Sequence, residues 1–91
     1  MTLTAYAIPA LRRGIRRHFD TTRGQNVLLC PERVILLDDI ANAITELCDG
    51  QRDVTEISRI LAERFTEDVG QVETDVLAFI QELSDKGLVS T

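Results

Sequence analysis

The stretch that decides the fold is "NVLLCPERVILLDD", Asn26 to Asp39. Two apolar runs, Val27–Cys30 and Val34–Leu37, flank Pro31 and Glu32. Short apolar runs on either side of a turn signal read as paired strands. Proline presets φ for the second position of a tight turn, with Glu32 at the third. A small sheet usually buries one face and wets the other, so these runs hold more apolar residues than one buried face needs.

Upstream, "GIRRHFD" (residues 14–20) alternates. Ile15, Arg17 and Phe19 fall on one face, Arg16, His18 and Asp20 on the other, which predicts a strand with one half-buried face. "TTRG" (residues 21–24) is a turn. Three strands joined by short turns form an antiparallel meander, with the strand over Val34–Leu37 at a sheet edge. Residues 1–11 show no period and read as a flexible N-terminal arm ahead of one domain over 12–91.

From Asp38 the period changes. Ile40, Ala43, Ile44, Leu47 and Cys48 form one helical stripe, capped by Asp38 or Asp39 and ended by Gly50. Asp53 and Glu56 have capping-box spacing for a second helix. A third runs from about Gly70 to Lys86 on Val72, Val76, Phe79, Ile80 and Leu83, with Gly87 and Leu88 suited to a Schellman end. The fold class is α+β and winged-helix-like: a three-stranded antiparallel meander followed by three helices.

The 91 residues make one small domain. No apolar run is long enough to span a membrane, and the N-terminus is a poor signal peptide, so a cytoplasmic protein is expected. The net charge of −5 is unevenly placed: residues 1–23 hold five Arg and one Asp, a net +4, and the remainder carries −9. Two cysteines and one histidine without C-x-x-C spacing exclude an ordinary zinc site.

Catalysis has weak support. Cys30 and His18 fall on adjacent strands, but no third orienting group and no phosphate loop accompany them, and an apolar run blunts a thiol. A winged helix-turn-helix transcription regulator is the alternative reading. Its recognition helix would need Lys and Arg, whereas the third helix carries Glu73, Asp75, Glu82 and Asp85 against Lys86 alone.

Peptide binding fits the surplus apolar surface. An edge strand offers unpaired N–H and C=O groups to an incoming strand. Val34, Ile35, Leu36 and Leu37 carry no charge to blunt that edge. On the third helix, Leu77 lies off the stripe, and with Ile80 and Ser84 makes a second apolar flank. Edge and flank together would form a groove. Periodicity alone leaves another outcome open, in which the N-terminal arm (Leu3, Tyr6, Ile8, Leu11) or a second copy of the domain covers that surface. A homodimer through the edge strand or the arm would use the same physics.

The sequence "NVLLCPERVILLDDIANAITELCDGQRDVTEI", followed by "DVLAFIQELSDKGLV", resembles the pyrroloquinoline quinone biosynthesis protein D family over roughly residues 15–90. The resemblance rests on the order and spacing of Leu28, Leu29, Pro31 and Glu32, of Leu47 to Gly50, and of Asp75, Val76, Phe79 and Leu83 before Gly87 and Leu88. It implies a peptide recognition element that is not itself an enzyme, which binds the quinone's precursor peptide and presents it to a radical S-adenosylmethionine enzyme. No cofactor is expected, and the acidic third helix and the lack of a spanning run point away from nucleic acid and membrane. By position, the peptide would meet Arg33, Val34, Ile35, Leu36, Leu37 and Asp38 on the strand, and Val76, Leu77, Ile80 and Leu83 on the helix. Arg16, Arg17 and Arg23 are expected to meet acidic peptide residues or the enzyme.

Overall fold

The structure, a computed structural model, describes residues 2–91. Its elements are β1 (Ala10–Leu11), β2 (Arg16–Asp20), β3 (Gln25–Leu29), β4 (Val34–Leu37), α1 (Asp39–Leu47), α2 (Val54–Phe65), α3 (Val69–Asp85) and β5 (Val89–Ser90). The meander is present as an antiparallel sheet in the order β2-β3-β4, which leaves β4 at an edge.

Local chemistry sets the helix ends. Asp38 caps α1, its Oδ1 accepting from the Ala41 N–H at 2.8 Å. Asp53 caps α2 by accepting from the Glu56 N–H, and Asp68 caps α3 by accepting from the Gln71 N–H. Each satisfies a free donor of the first turn. At the far end of α3, Leu88 N–H donates to Leu83 C=O and Gly87 N–H to Ser84 C=O, with Gly87 at φ +74°. These are the two bonds of a Schellman motif. They turn the chain so that Leu88 and Val89 re-enter the core.

Gly50 does something other than end α1. The helix stops at Leu47 with Cys48 as its cap. Gly50, at φ +76°, donates its N–H to Pro9 C=O, and a Cβ there would touch Ala10. The positive φ, which L side chains rarely adopt, is what calls for glycine in this turn against the N-terminal segment.

That segment is the main departure from expectation. Residues 2–11 do not stand off as a separate arm. Thr55 N–H donates to Ala5 C=O, Val54 N–H to Ala7 C=O and Leu11 N–H to Cys48 C=O, and β1 pairs with β5. Leu3, Ala7 and Leu11 pack against the core and Pro9 is buried. The segment therefore runs beside the start of α2 and the end of α3. It is not laid across the β2-β3-β4 sheet as a cover.

The core gathers Leu28, Leu37, Ile44, Leu47, Val54, Ile57, Leu61, Val76, Ile80 and Leu83, with Leu88 and Val89. β2 lies outside it. Phe19, expected on a half-buried face, is 51% exposed. Of the three strands of the β2-β3-β4 sheet, β3 and β4 contribute to the buried cluster, and β2 reaches α1 through Arg17, whose guanidinium donates to Asn42 Oδ1 at 3.1 Å and pairs with Glu46 at 3.8 Å.

The buried Cys48 yields a test of the packing. Burial, with the negative charge of Asp49 adding to it, pushes its thiol up from 9.0 to about 12. The unfolded chain ionises this group first as pH rises. Its contribution to stability is therefore fully present below pH 9.0 and is lost toward pH 12, at about 1.4 kcal/mol per pH unit. At neutral pH an alkylating reagent should label half-buried Cys30 promptly and Cys48 only on unfolding, read by peptide mapping. Equal labelling rates would contradict the burial of Cys48.

Candidate functional site

The candidate site is built around the edge strand β4. Its side chains alternate: Val34 is 46% and Leu36 54% exposed, whereas Ile35 is half-buried and Leu37 buried. The register pairs Leu29 with Val34, Leu28 with Ile35, Val27 with Leu36 and Asn26 with Leu37. Cys30 N–H donates to Arg33 C=O at 3.0 Å, so residues 30 and 33 are a hydrogen-bonded pair. Bonded and non-bonded pairs alternate along an antiparallel ladder. Ile35 and Leu37 therefore direct their backbone groups inward to β3, and Val34 and Leu36 direct theirs outward. The two residues with exposed apolar side chains are thus the two that offer free N–H and C=O groups.

Beside β4 lies a hollow of about 300 Å³ lined by Leu36, Asp38, Ile40, Ala41, Ile44, Asp75 and Phe79. A second, of about 220 Å³, adjoins it across Ile40 and Asp75 and is lined further by Leu61, Phe65, Glu67, Gln71, Val72 and Val76. Ile40, expected inside the α1 stripe, is 51% exposed at their junction. The strip beside the edge strand is therefore apolar and walled by α1 and α3.

The placement of the expected site residues is mixed. Val34 and Leu36 stand at the open edge, with Ile35 and Leu37 turned toward the helices. Arg33 is exposed at the start of β4, and the Asp38 carboxylate is engaged as the α1 cap. On α3, Val76, Ile80 and Leu83 are buried in the core, at 1%, 0% and 1% exposure, and of the three only Val76 also lines a hollow, the second one. Leu77 is half-buried one turn before Gln81, whose Oε1 accepts from the Leu3 N–H. That places it on the flank where the N-terminal segment docks. The wall beside β4 is built by Asp75 and Phe79. Phe79, expected on the core stripe, packs against the core and also lines the hollow beside Leu36, and nothing in the helical period separates it from its fully buried neighbours. Of the three arginines, Arg17 is held by Asn42 and Glu46, and Arg23 pairs with Asp20 at 3.3 Å. Arg16 is exposed with no ion pair among the described residues. Nor do His, Cys, Asp and Glu side chains cluster into a metal site among those residues.

The sequence matches the family model of coenzyme PQQ synthesis protein D (PqqD) over residues 25–89. The chain belongs to the PqqD family. A PqqA binding protein of Rhodopseudomonas palustris (strain BisB5) is 44% identical over 90 residues, covering 99% of this chain and 88% of that protein. The solution NMR structure of the PqqD truncation of Methylobacterium extorquens PqqCD, a stand-alone recognition element for ribosomally synthesised and modified peptides, superposes with a TM-score of 0.86. It is 36% identical and covers 99% of this chain and 96% of its own. A lasso peptide synthetase B1 complexed with its leader peptide shares the fold, with a TM-score of 0.77 at 21% identity, covering 93% of this chain and all of its own. The α+β, winged-helix-like arrangement is therefore that of PqqD recognition elements. Membership in this family sets aside the transcription-regulator reading. No helix of the described residues is long and apolar enough to cross a membrane.

Proposed function

We propose that this chain is a non-catalytic adaptor of pyrroloquinoline quinone biosynthesis that captures the precursor peptide PqqA as an added strand on β4. The observation that carries this reading is the coincidence, at Val34 and Leu36, of outward backbone groups with exposed apolar side chains, with Leu36 at the Phe79 hollow. An extended peptide placed there pairs its backbone with β4 at about 1 kcal/mol net per bond. It also buries apolar side chains against Leu36, Ile40 and Phe79, at about 2 kcal/mol for a leucine-sized group. Ordering a flexible peptide offsets part of that gain. The names of the curated relatives support PqqA as the guest, and the NMR relative supports a stand-alone recognition role.

The bound peptide is then presented to a radical S-adenosylmethionine enzyme, in the cytoplasm, with Arg16 on the outer strand available for that contact. Calorimetric titration of the protein with synthetic PqqA tests the capture step: saturable one-to-one binding is expected, and no heat or a non-saturating signal would refute it. A gel shift with random duplex DNA at low salt should show no complex, because Asp75, Glu82 and Asp85 stand exposed along α3.

A further inference from the structure

A third hollow lies at the opposite end of β4. Where β4 begins and α3 finishes, it spans about 360 Å³ and is lined by Arg12, Arg13, Arg33 and Lys86, with Glu32 as its one carboxylate. On a chain of net charge −5 such a concentration of cations is out of keeping with the rest of the molecule. Lys86 is partly answered by Glu82 at 2.9 Å, but Arg12, Arg13 and Arg33 have no ion pair among the described residues. The backbone around them is held in place. Arg12 N–H donates to Leu88 C=O, Ile15 N–H donates to Arg12 C=O across a turn with Gly14 at φ +89°, and Arg33 C=O closes the β3–β4 turn. At the other end of β4 the charged groups are Asp38 and Asp75, with no cation lining that hollow.

We infer that the Arg12, Arg13, Arg33 and Lys86 hollow seats acidic side chains of the same extended peptide that pairs with β4, and so sets the direction in which that peptide lies. The inference rests on the proposed strand addition and goes beyond it. The two ends of β4 differ in sign over the length of a four-residue strand, roughly 13 Å. A peptide with its carboxylates at the Arg33 end meets guanidinium groups suited to carboxylate recognition. The reversed peptide brings the same carboxylates against Asp38 and Asp75.

The test uses two peptides, PqqA and a PqqA in which every Asp and Glu is replaced by Asn and Gln. At low salt the wild-type protein should bind the neutralised peptide at least about tenfold more weakly, with the gap narrowing at high salt. The variants Arg33→Glu and Arg12→Glu/Arg13→Glu should lose about the same factor for PqqA and little for the neutralised peptide. Arg59→Glu, exposed on α2, should bind PqqA as the wild type does. Because the two-peptide comparison uses the native protein, it stands even if a variant folds poorly. Equal affinity of the wild type for both peptides, while the Val34 and Leu36 amides gain protection from exchange, would overturn the inference and leave strand addition standing. If those amides gain no protection under saturating PqqA, strand addition has failed and the inference with it.

Discussion

Leu36→Pro is expected to abolish most peptide capture while leaving the domain folded. The Leu36 N–H points away from β3, so proline there removes no ladder bond, and an edge strand tolerates proline where the N–H faces outward. The variant loses one main-chain bond to the guest, about 1 kcal/mol, and most of a leucine side chain's contact, about 2 kcal/mol. Together these correspond to a loss of affinity on the order of a hundredfold. Leu36 is already 54% exposed, so the cost in stability should stay near 1 kcal/mol or below. Ile35→Pro is the counterpart. It deletes an inward N–H that pairs with Leu28 in the ladder, and should unfold or grossly destabilise the protein. Titration by calorimetry together with thermal melts separates the two. If Leu36→Pro binds like the wild type, the edge is not where the peptide pairs.

The neighbours Phe79 and Ile80 should split binding from stability. Ile80 is 0% exposed, and Ile80→Ala should cost about 2–5 kcal/mol from lost transfer energy and the cavity left behind. For a domain of this size each 1 kcal/mol lowers Tm by about 4–8 °C, so a fall of roughly 8–40 °C is expected. Phe79 is half-buried in the wall of the hollow beside Leu36. Phe79→Ala should lose less stability and weaken PqqA binding by about tenfold or more, as expected when an aromatic anchor is truncated. The opposite ranking, with Ile80→Ala stable but poor at binding, would restore Ile80 to the groove.

These two pairs mark where sequence reading succeeded and where it stopped. The β3–β4 turn, a cap at Asp38 or Asp39, the cap at Asp53, and the Schellman end at Gly87 and Leu88 were legible because each depends on residues within one turn of each other; the structure selects Asp38. The edge position of β4 followed from three consecutive strands with short turns. Which of its residues face outward did not follow, because a register error of one residue exchanges Val34 and Leu36 for Ile35 and Leu37. On α3 adjacent residues point about 100° apart, and only the position of β4 decides that Ile80 faces the core and Phe79 the groove. The β1–β5 ladder has two residues per strand, too short for any period, and joins the two ends of the chain. The basic hollow was visible only as a charged N-terminal portion. Arg33 and Lys86 are distant from Arg12 in sequence and reach it through the fold.

Amide hydrogen exchange, residue by residue along β4, tests strand addition most directly. In the free protein the Ile35 and Leu37 amides should already be protected by β3, and those of Val34 and Leu36 should exchange fast. With PqqA at saturation, Val34 and Leu36 should slow to the range of their neighbours, the alternating signature of a new strand on the open side of β4. Binding of PqqA that leaves both amides exchanging at their free rates would contradict the account.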